Sequence, residues 1–461
     1  MRKSLLAVVL LCACAAAAQE SQLGADFRGE HDRFDQNCTK GFKGIAGCGE
    51  MLFTDHPLHI AVGSIAPQNG FGAGLAFVTH YTPNENWRLS WDVDAIGSSN
   101  ASWRAGAYMK IIHTPPQPIT VTTTTTGGVP VKSNLSVRQY TVFNVYAQGI
   151  QLNKIYYFGE GPNTTPAGQS TFSEQQAIVG GSGILPVWRK LSLALYGEAN
   201  GRFVTVGNST GQGYPAIGAL YNNASAPGLA TQPSFAQFGE GIRLKPIFFG
   251  DHLQLDYKFT FQQFAASNSV YSFRRWTGDF GHVFPLYGKT PPGPKEFNGP
   301  DQCAQAIGSK CPPIAFSRNR SGAIGIRLLM TESIADRGSV VPFYFQPTLG
   351  GSDINGDSLL ASYQDYRFRA PNLLLLRESF EHSLWGPFGF NFMADQGKVA
   401  LTRGNTNFDN LDHSFAAGFT VRAGGLPEVF FLFAWGSNST SHNIVSMDPA
   451  LLGGSARPSL Y

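Results

Sequence analysis

Apolar and polar residues alternate along much of this chain with a period of two. From Trp87 to Ala95, the positions Trp87, Leu89, Trp91, Val93 and Ala95 interleave with Arg88, Ser90, Asp92 and Asp94. From Leu253 to Gln262, Leu253, Leu255, Tyr257, Phe259 and Phe261 interleave with Gln254, Asp256, Lys258, Thr260 and Gln262. Successive side chains of a strand point to opposite faces, so each segment has one apolar and one polar face. Comparable segments begin near Leu58, Phe71, Asn86, Ser102, Gln139, Thr171, Leu191, Ser234, His252, Tyr271, Gly322, Asn372, Phe388, His413, Glu428 and Thr440. The pattern predicts an all-β, antiparallel meander of about sixteen strands, an even number as expected of a single-chain transmembrane barrel. A β-sandwich would show the same alternation with its apolar face turned to a core.

Turns test the strand count. Pro83-Asn84-Glu85, Leu185-Pro186-Val187, Phe249-Gly250-Asp251, Gly386-Pro387 and Gly424-Gly425-Leu426-Pro427 all fall on one side of the meander, the side of the short periplasmic turns. Two long connections, 113–138 and 286–321, fall there too and fit that side poorly. Either they are periplasmic excursions or one strand is miscounted. The first contains the low-complexity run Thr122 to Thr126, read as a mobile loop.

Composition separates barrel from sandwich. Charged residues make up 14% of the chain, against roughly 25% in ordinary globular domains. Phe (35), Tyr (16) and Gly (53) are abundant. Residues 1–18 read as a signal peptide: Arg2 and Lys3, an apolar core from Leu5 to Leu11, and small residues from Ala15 to Ala18. Leu11-Cys12-Ala13-Cys14 is a poor lipidation alternative. No later stretch is apolar enough to cross a membrane as a helix, which needs roughly 20 residues. An exported, aromatic-rich chain of this kind points to the bacterial outer membrane, where a closed barrel satisfies every backbone group. A net charge of +3 is too small to imply nucleic acid as a partner. The expected partner is outer-membrane lipid, and the expected state is a monomer without cofactor.

Cys38 and Cys48, and Cys303 and Cys311, form two closely spaced pairs. In an oxidising compartment they read as two local disulfides; the spacing lacks the Cys-x-x-Cys and histidine pattern of a zinc site.

The segment from Gly350 to Ala400 opens on a Gly-Gly pair, runs through Tyr366-Arg367-Phe368-Arg369, and ends in a hairpin turning at Gly386-Pro387-Phe388-Gly389. With Asn153 to Gly161 (NKIYYFGEG), Val341 to Tyr344 and Phe415 to Trp435, it resembles the C-terminal half of the bacterial surface antigen superfamily. That family includes the barrels of the BamA and TamA assembly factors and their patatin-fused relatives. The resemblance implies an extracellular loop folded into the barrel, a weakly paired seam between first and last strands, and polypeptide clients or periplasmic proteins as partners. Where the family's loop carries Leu-Arg-Gly-Tyr, this chain has Leu360-Ala361-Ser362-Tyr363. The loop arginine and glycine are missing, while Asp395 keeps the acidic position on the wall. Arg367 or Arg369 is therefore expected to pair with Asp395, since a buried carboxylate needs a cation. Tyr363, Arg367, Arg369 and Asp395 are the candidate loop and gating residues.

The chain divides into the signal peptide (1–18), a short periplasmic arm or plug (19–56), the barrel (57–447) and a tail (448–461). The arm is too short for a polypeptide-transport-associated domain. The expected function is assistance to polypeptide or lipid insertion or passage across the outer membrane; the alternative is a passive channel or surface receptor that has lost translocase activity. No enzyme is expected. Gly207-Asn208-Ser209-Thr210-Gly211 matches G-x-S-x-G but lacks a following helix. Asp353-Ile354-Asn355-Gly356-Asp357 resembles part of a calcium loop, yet position 12 would be Gln364. Gly70, Gly72 and Gly74 lie on a strand, where glycine permits bending or close approach.

Overall fold

The computed structural model describes residues 22–38, 57–84, 86–114, 140–188, 191–209, 213–249, 252–288, 321–385, 388–421, 429–437, 440–447 and 457–461. The strands are Leu58–Ser64 (β1), Phe71–Asn84 (β2), Trp87–Ser98 (β3), Trp103–His113 (β4), Thr141–Tyr157 (β5), Ser170–Trp188 (β6), Leu193–Asn208 (β7) and Phe235–Leu244 (β8). They continue as Ile247–Phe248 (β9), Leu253–Ala266 (β10), Phe273–Gly288 (β11), Ser321–Ala335 (β12), Thr348–Leu349 (β13) and Phe368–Arg369 (β14). Asn372–Trp385 (β15), Phe388–Ala400 (β16), Asp412–Val421 (β17), Val429–Gly436 (β18) and Ser441–Met447 (β19) complete the set. A helix, Gln22–Cys38, precedes them. Among the described residues no helix is long and apolar enough to cross a membrane.

Seventeen strands form one antiparallel sheet, and β13 and β14 pair separately. Each strand from β1 to β8 pairs with the next, β8 pairs with β10, and the meander then runs through β11, β12 and β15 to β19. The two-residue β9 only extends the edge of β10. Setting β9 aside, sixteen strands remain, and every predicted start lies within two residues of one of them. The alternative of a miscounted strand therefore falls away. Connections 113–138 and 286–321, which lie mostly outside the described residues, join the adjacent antiparallel pairs β4–β5 and β11–β12. Gly74 marks a close approach: a Cβ there would lie 1.9 Å from the Ala95 carbonyl oxygen of β3.

The two faces of the sheet are inverted relative to a soluble protein. On β3, Trp91 and Val93 are exposed while Asp92 and Asp94 are buried. On β7, Phe203 is 56% exposed and Arg202 is fully buried. On β18, Phe431, Phe433 and Trp435 face outward and Ala434 inward. The sandwich alternative requires the opposite assignment. An outward face this apolar suits hydrocarbon, since contiguous apolar surface of such extent is costly in water. The inner face carries bidentate ion pairs along the wall, Arg243 with Asp256 (2.9 and 2.8 Å) and Arg327 with Asp279 (2.8 and 2.9 Å).

The sheet curls enough that β1 and β19, its two ends, come within 8 Å between Cα atoms. No ladder register joins them among the described residues, whereas every other neighbouring pair of long strands has one. Cys38 is disulfide-bonded; Cys48, Cys303 and Cys311 lie outside the described residues, as does the segment read as a signal peptide.

Val179 stands at the middle of β6 on the outward face, 55% exposed. Val179→Arg should cost about 2–4 kcal/mol if that face meets the bilayer midplane. Urea unfolding in liposomes measures this, and a change below about 0.5 kcal/mol would mean the face meets water.

Candidate functional site

Residues 336–371 connect β12 to β15; 341–354 and most of 359–370 are buried against inward-facing side chains of the sheet, while 336–338 and 355–357 are exposed. The apolar run at Val341 starts the packing. Phe343–Phe345 form one 3-10 turn, which splays three successive rings in different directions. Phe343 meets Tyr157 and Phe172 edge-on at 5.2 and 5.1 Å. Phe345 meets Phe235 at 4.9 Å and Phe264 at 5.4 Å. Edge-to-face aromatic pairs at such spacing add to the value of burial alone. Arg275 of β11 reaches in to the Phe345 carbonyl and donates to the Ser333 hydroxyl.

β13 and β14 then pair antiparallel, Thr348 with Arg369 and Leu349 with Phe368, and so tie the two ends of a closed loop. Gly350 opens that loop at φ +104°, where any Cβ would lie 2.4 Å from the Cβ of Arg367. The Gly350-Gly351 pair is thus a steric requirement of this turn. Asp365 closes the loop from the other side, accepting from the Ser352 N–H at 2.8 Å and from the Gln68 amide at 2.6 Å.

One flank of the loop is pinned to the wall by backbone donors. The Leu360 N–H donates to Asp395 Oδ2 at 2.9 Å, and the Ser362 N–H donates to Ser414 Oγ at 2.8 Å. The Tyr363 hydroxyl donates to Asp412 Oδ1 at 2.9 Å. The cation on Asp395 is not a loop arginine, contrary to the expectation from the sequence. It is Arg377 on the adjacent strand β15, with Nε to Oδ1 at 2.6 Å and Nη2 to Oδ2 at 2.7 Å. Arg377 also donates to the Ser358 carbonyl of the loop. Neither Arg367 nor Arg369 reaches Asp395, because both project to the opposite flank.

Arg367 donates to the hydroxyl (2.5 Å) and the carbonyl of Thr164, in the β5–β6 connection, and lies between the rings of Phe158 and Phe368. Arg369 donates to the Phe343 carbonyl at 2.7 Å, and its own carbonyl accepts from the Gly161 N–H at 2.8 Å. Burial lowers the pKa of both guanidiniums from the usual arginine value. The four candidate residues therefore divide: Tyr363 and Asp395 hold the loop to β16 and β17, and Arg367 and Arg369 hold it to the β5–β6 turn. Arg377 was missed. Counting outward from the Gly386-Pro387 turn would have placed it opposite Gln396. A register shift between Ser383 and Trp385 moves it opposite Asp395.

The other candidate chemistries are accounted for locally. The Ser209 hydroxyl donates to the Asn153 carbonyl at 2.5 Å. Among the described residues no group of three or more His, Cys, Asp or Glu is placed to hold a metal ion. Asp353 Oδ1 instead accepts from the N–H groups of Asn355 and Asp357 at 2.9 and 2.8 Å, an Asx-type turn.

No protein-family model matches the chain, and no curated protein matches it. Among solved structures it is similar to CdiB from Acinetobacter baumannii (11% identity, TM-score 0.47) over 85% of this chain and 59% of that one. It is also similar to CdiB from Escherichia coli (14% identity, TM-score 0.48), over 86% of this chain and 62% of that one. A third is BamA from Haemophilus ducreyi lacking POTRA domains 1–3 (9% identity, TM-score 0.48), over 85% of this chain and 70% of that one. The chain thus spans about three-fifths of the length of the two CdiB structures.

Two outcomes follow from these contacts. Arg377→Met leaves the buried Asp395 carboxylate uncompensated and should cost about 3–5 kcal/mol. Arg377→Met/Asp395→Leu should recover most of that loss, and Arg367→Met should cost less than Arg377→Met; urea unfolding in lipid ranks the three. Burial, with Asp357 alongside, raises the Asp353 carboxyl from 3.8 to about 7. The folded chain then binds a proton that the unfolded chain releases, so this contribution is complete below the ordinary carboxylate pKa. It is lost as pH rises through about 7. Thermal midpoints from pH 4 to 8 should fall across that window and should flatten in Asp353→Asn.

Proposed function

We propose that this chain is an outer-membrane β-barrel that assists the insertion or passage of polypeptide. In this reading the sixteen-strand sheet closes on itself, and the connection 336–371 is an extracellular loop folded into the lumen. Residues 1–18 direct export, 19–56 form a short periplasmic arm, 57–447 form the barrel and 448–461 a tail. Tyr363, Arg367, Arg369 and Asp395 are the residues that hold the loop in place.

One observation carries the proposal: the ends of the sheet, β1 and β19, approach each other without a ladder between them. Two strand edges facing each other without a ladder between their described residues are a template for pairing with another chain. In lipid, unmade backbone bonds cost several kcal/mol each, so an incoming strand that supplies them is strongly favoured. The connection supports the same reading against an open pore, because it packs against inward-facing side chains of β5, β6, β8, β10, β11, β16 and β17. The likeness of residues 350–400 to the surface antigen superfamily agrees with both points.

The test is the folding of a small eight-stranded barrel into liposomes with and without this protein. Acceleration is expected, and a disulfide engineered between β1 and β19 should abolish it. Steady single-channel conductance without acceleration would instead establish the passive channel. In the same bilayer, Arg367→Ala/Arg369→Ala should raise a small, noisy conductance, because the loop loses its hold on the β5–β6 turn.

A further inference from the structure

The segment Arg457–Tyr461 has no part in the sheet, yet it is seated among inward-facing side chains far from it in sequence. Arg457 Nη2 donates to Asp94 Oδ2 of β3, and its guanidinium lies 6.0 Å from the centre of the Tyr108 ring on β4. Asp94 is 3% exposed and also lies near Arg104. The Leu460 peptide is read in both directions: Gln176 Nε2 of β6 donates to its carbonyl at 3.1 Å, and Asn355 Oδ1 accepts from its N–H at 2.9 Å. The Leu460 side chain is 6% exposed, within the same apolar cluster as Phe343 and Tyr344. The Tyr461 hydroxyl donates to Asp353 Oδ2. Ser459 alone faces open space.

Segments outside regular structure stay loose unless something ties them down. Here the ties come from three separate elements: the β3–β4 hairpin, β6 and the connection. Each supplies a different kind of recognition. A buried carboxylate takes a cation, one amide pair takes a backbone unit, an apolar pocket takes a branched side chain, and a second carboxylate takes a phenol. Charge-assisted bonds and paired backbone contacts at fixed spacing are how extended peptides are selected. We propose that Asp94 and Gln176 of the wall, with Asp353 and Asn355 of the connection, form a binding site for an extended polypeptide carrying a cation three residues ahead of a Leu-Tyr pair, and that Arg457–Tyr461 is its resident occupant. The segment is then a built-in competitor, which a passing chain of that pattern must displace. The inference deepens the polypeptide reading above and rests on it only for the nature of the competitor.

A chain lacking residues 457–461, refolded into lipid nanodiscs, should bind a fluorescent Arg-Pro-Ser-Leu-Tyr peptide. The intact chain should bind it about tenfold or more weakly, the penalty expected when about nine-tenths of the sites are already filled. Asp94→Asn in the shortened chain should weaken binding by a similar factor, and a peptide with Glu in place of Arg should not bind. Equal binding by both chains, or indifference to Asp94→Asn, would overturn the proposal. A second measurement needs no deletion: in full-length Pro458→Cys, at a buried position that is not one of the recognised groups, labelling by a bulky maleimide should be slow and should quicken with excess peptide. Fast labelling from the outset would also overturn it. Peptide binding without acceleration of client folding would leave this site standing and remove the assembly reading. Accelerated folding without peptide binding would do the reverse.

Discussion

The carboxylate of Asp395 is where wall and interior meet, and much of the molecule depends on its being satisfied. Two guanidinium N–H groups of Arg377 and the backbone N–H of Leu360 converge on its two oxygens. A carboxylate that is 3% exposed tolerates this position only with such partners. The geometry therefore requires β15 and β16 to be in register and the connection to lie against them. Without the ladder, Arg377 would not stand opposite Asp395. Without the connection, both Asp395 and Arg377 would lack a backbone partner, the latter the Ser358 carbonyl.

The same logic recurs around the interior. Arg275 ties β11 to the Phe345 carbonyl, Arg367 ties the loop to Thr164, and Asp365 ties the loop to Gln68 near β1. These contacts lie on widely separated parts of the sheet order, so one connection can make them all only if the sheet is rolled around it. Aromatic packing supplies the apolar share of this inner core, with Phe343 and Phe345 as its centre. The inner face thus carries paired charges along the wall, with the connection and a five-residue segment packed against it.

A rigid, cross-linked interior keeps the wall from collapsing while the edges of β1 and β19 stay unladdered. Charge pairs across neighbouring strands hold local register where the side chains face inward. Apolar residues on the outer face hold the sheet in an apolar medium. Stability and an open edge can coexist because they are carried by different residues.

Strand number, strand positions and the two-faced character of each strand were all legible in the sequence, because the period of two is a local property of the backbone. Gly350-Gly351 and the aromatic run at Phe343 could likewise be read as punctuation of a special segment. Alternation alone could not say which face turned outward, since a sandwich and a barrel share it; composition favoured the barrel, and the burial of Asp94 and Arg202 against the exposure of Val93 and Phe203 agrees. The partner of Asp395 was hidden for a narrower reason. A single register shift near the β15–β16 turn changes every cross-strand pairing by one residue, and no local signal announces it. Nor could the sequence show that Arg457–Tyr461 returns to the interior, because its partners at Asp94, Gln176 and Asn355 are brought together only when the sheet rolls. Alternation is written residue by residue along the chain, whereas ion pairs across strands and loops held inside a sheet depend on closure, which is a property of the whole.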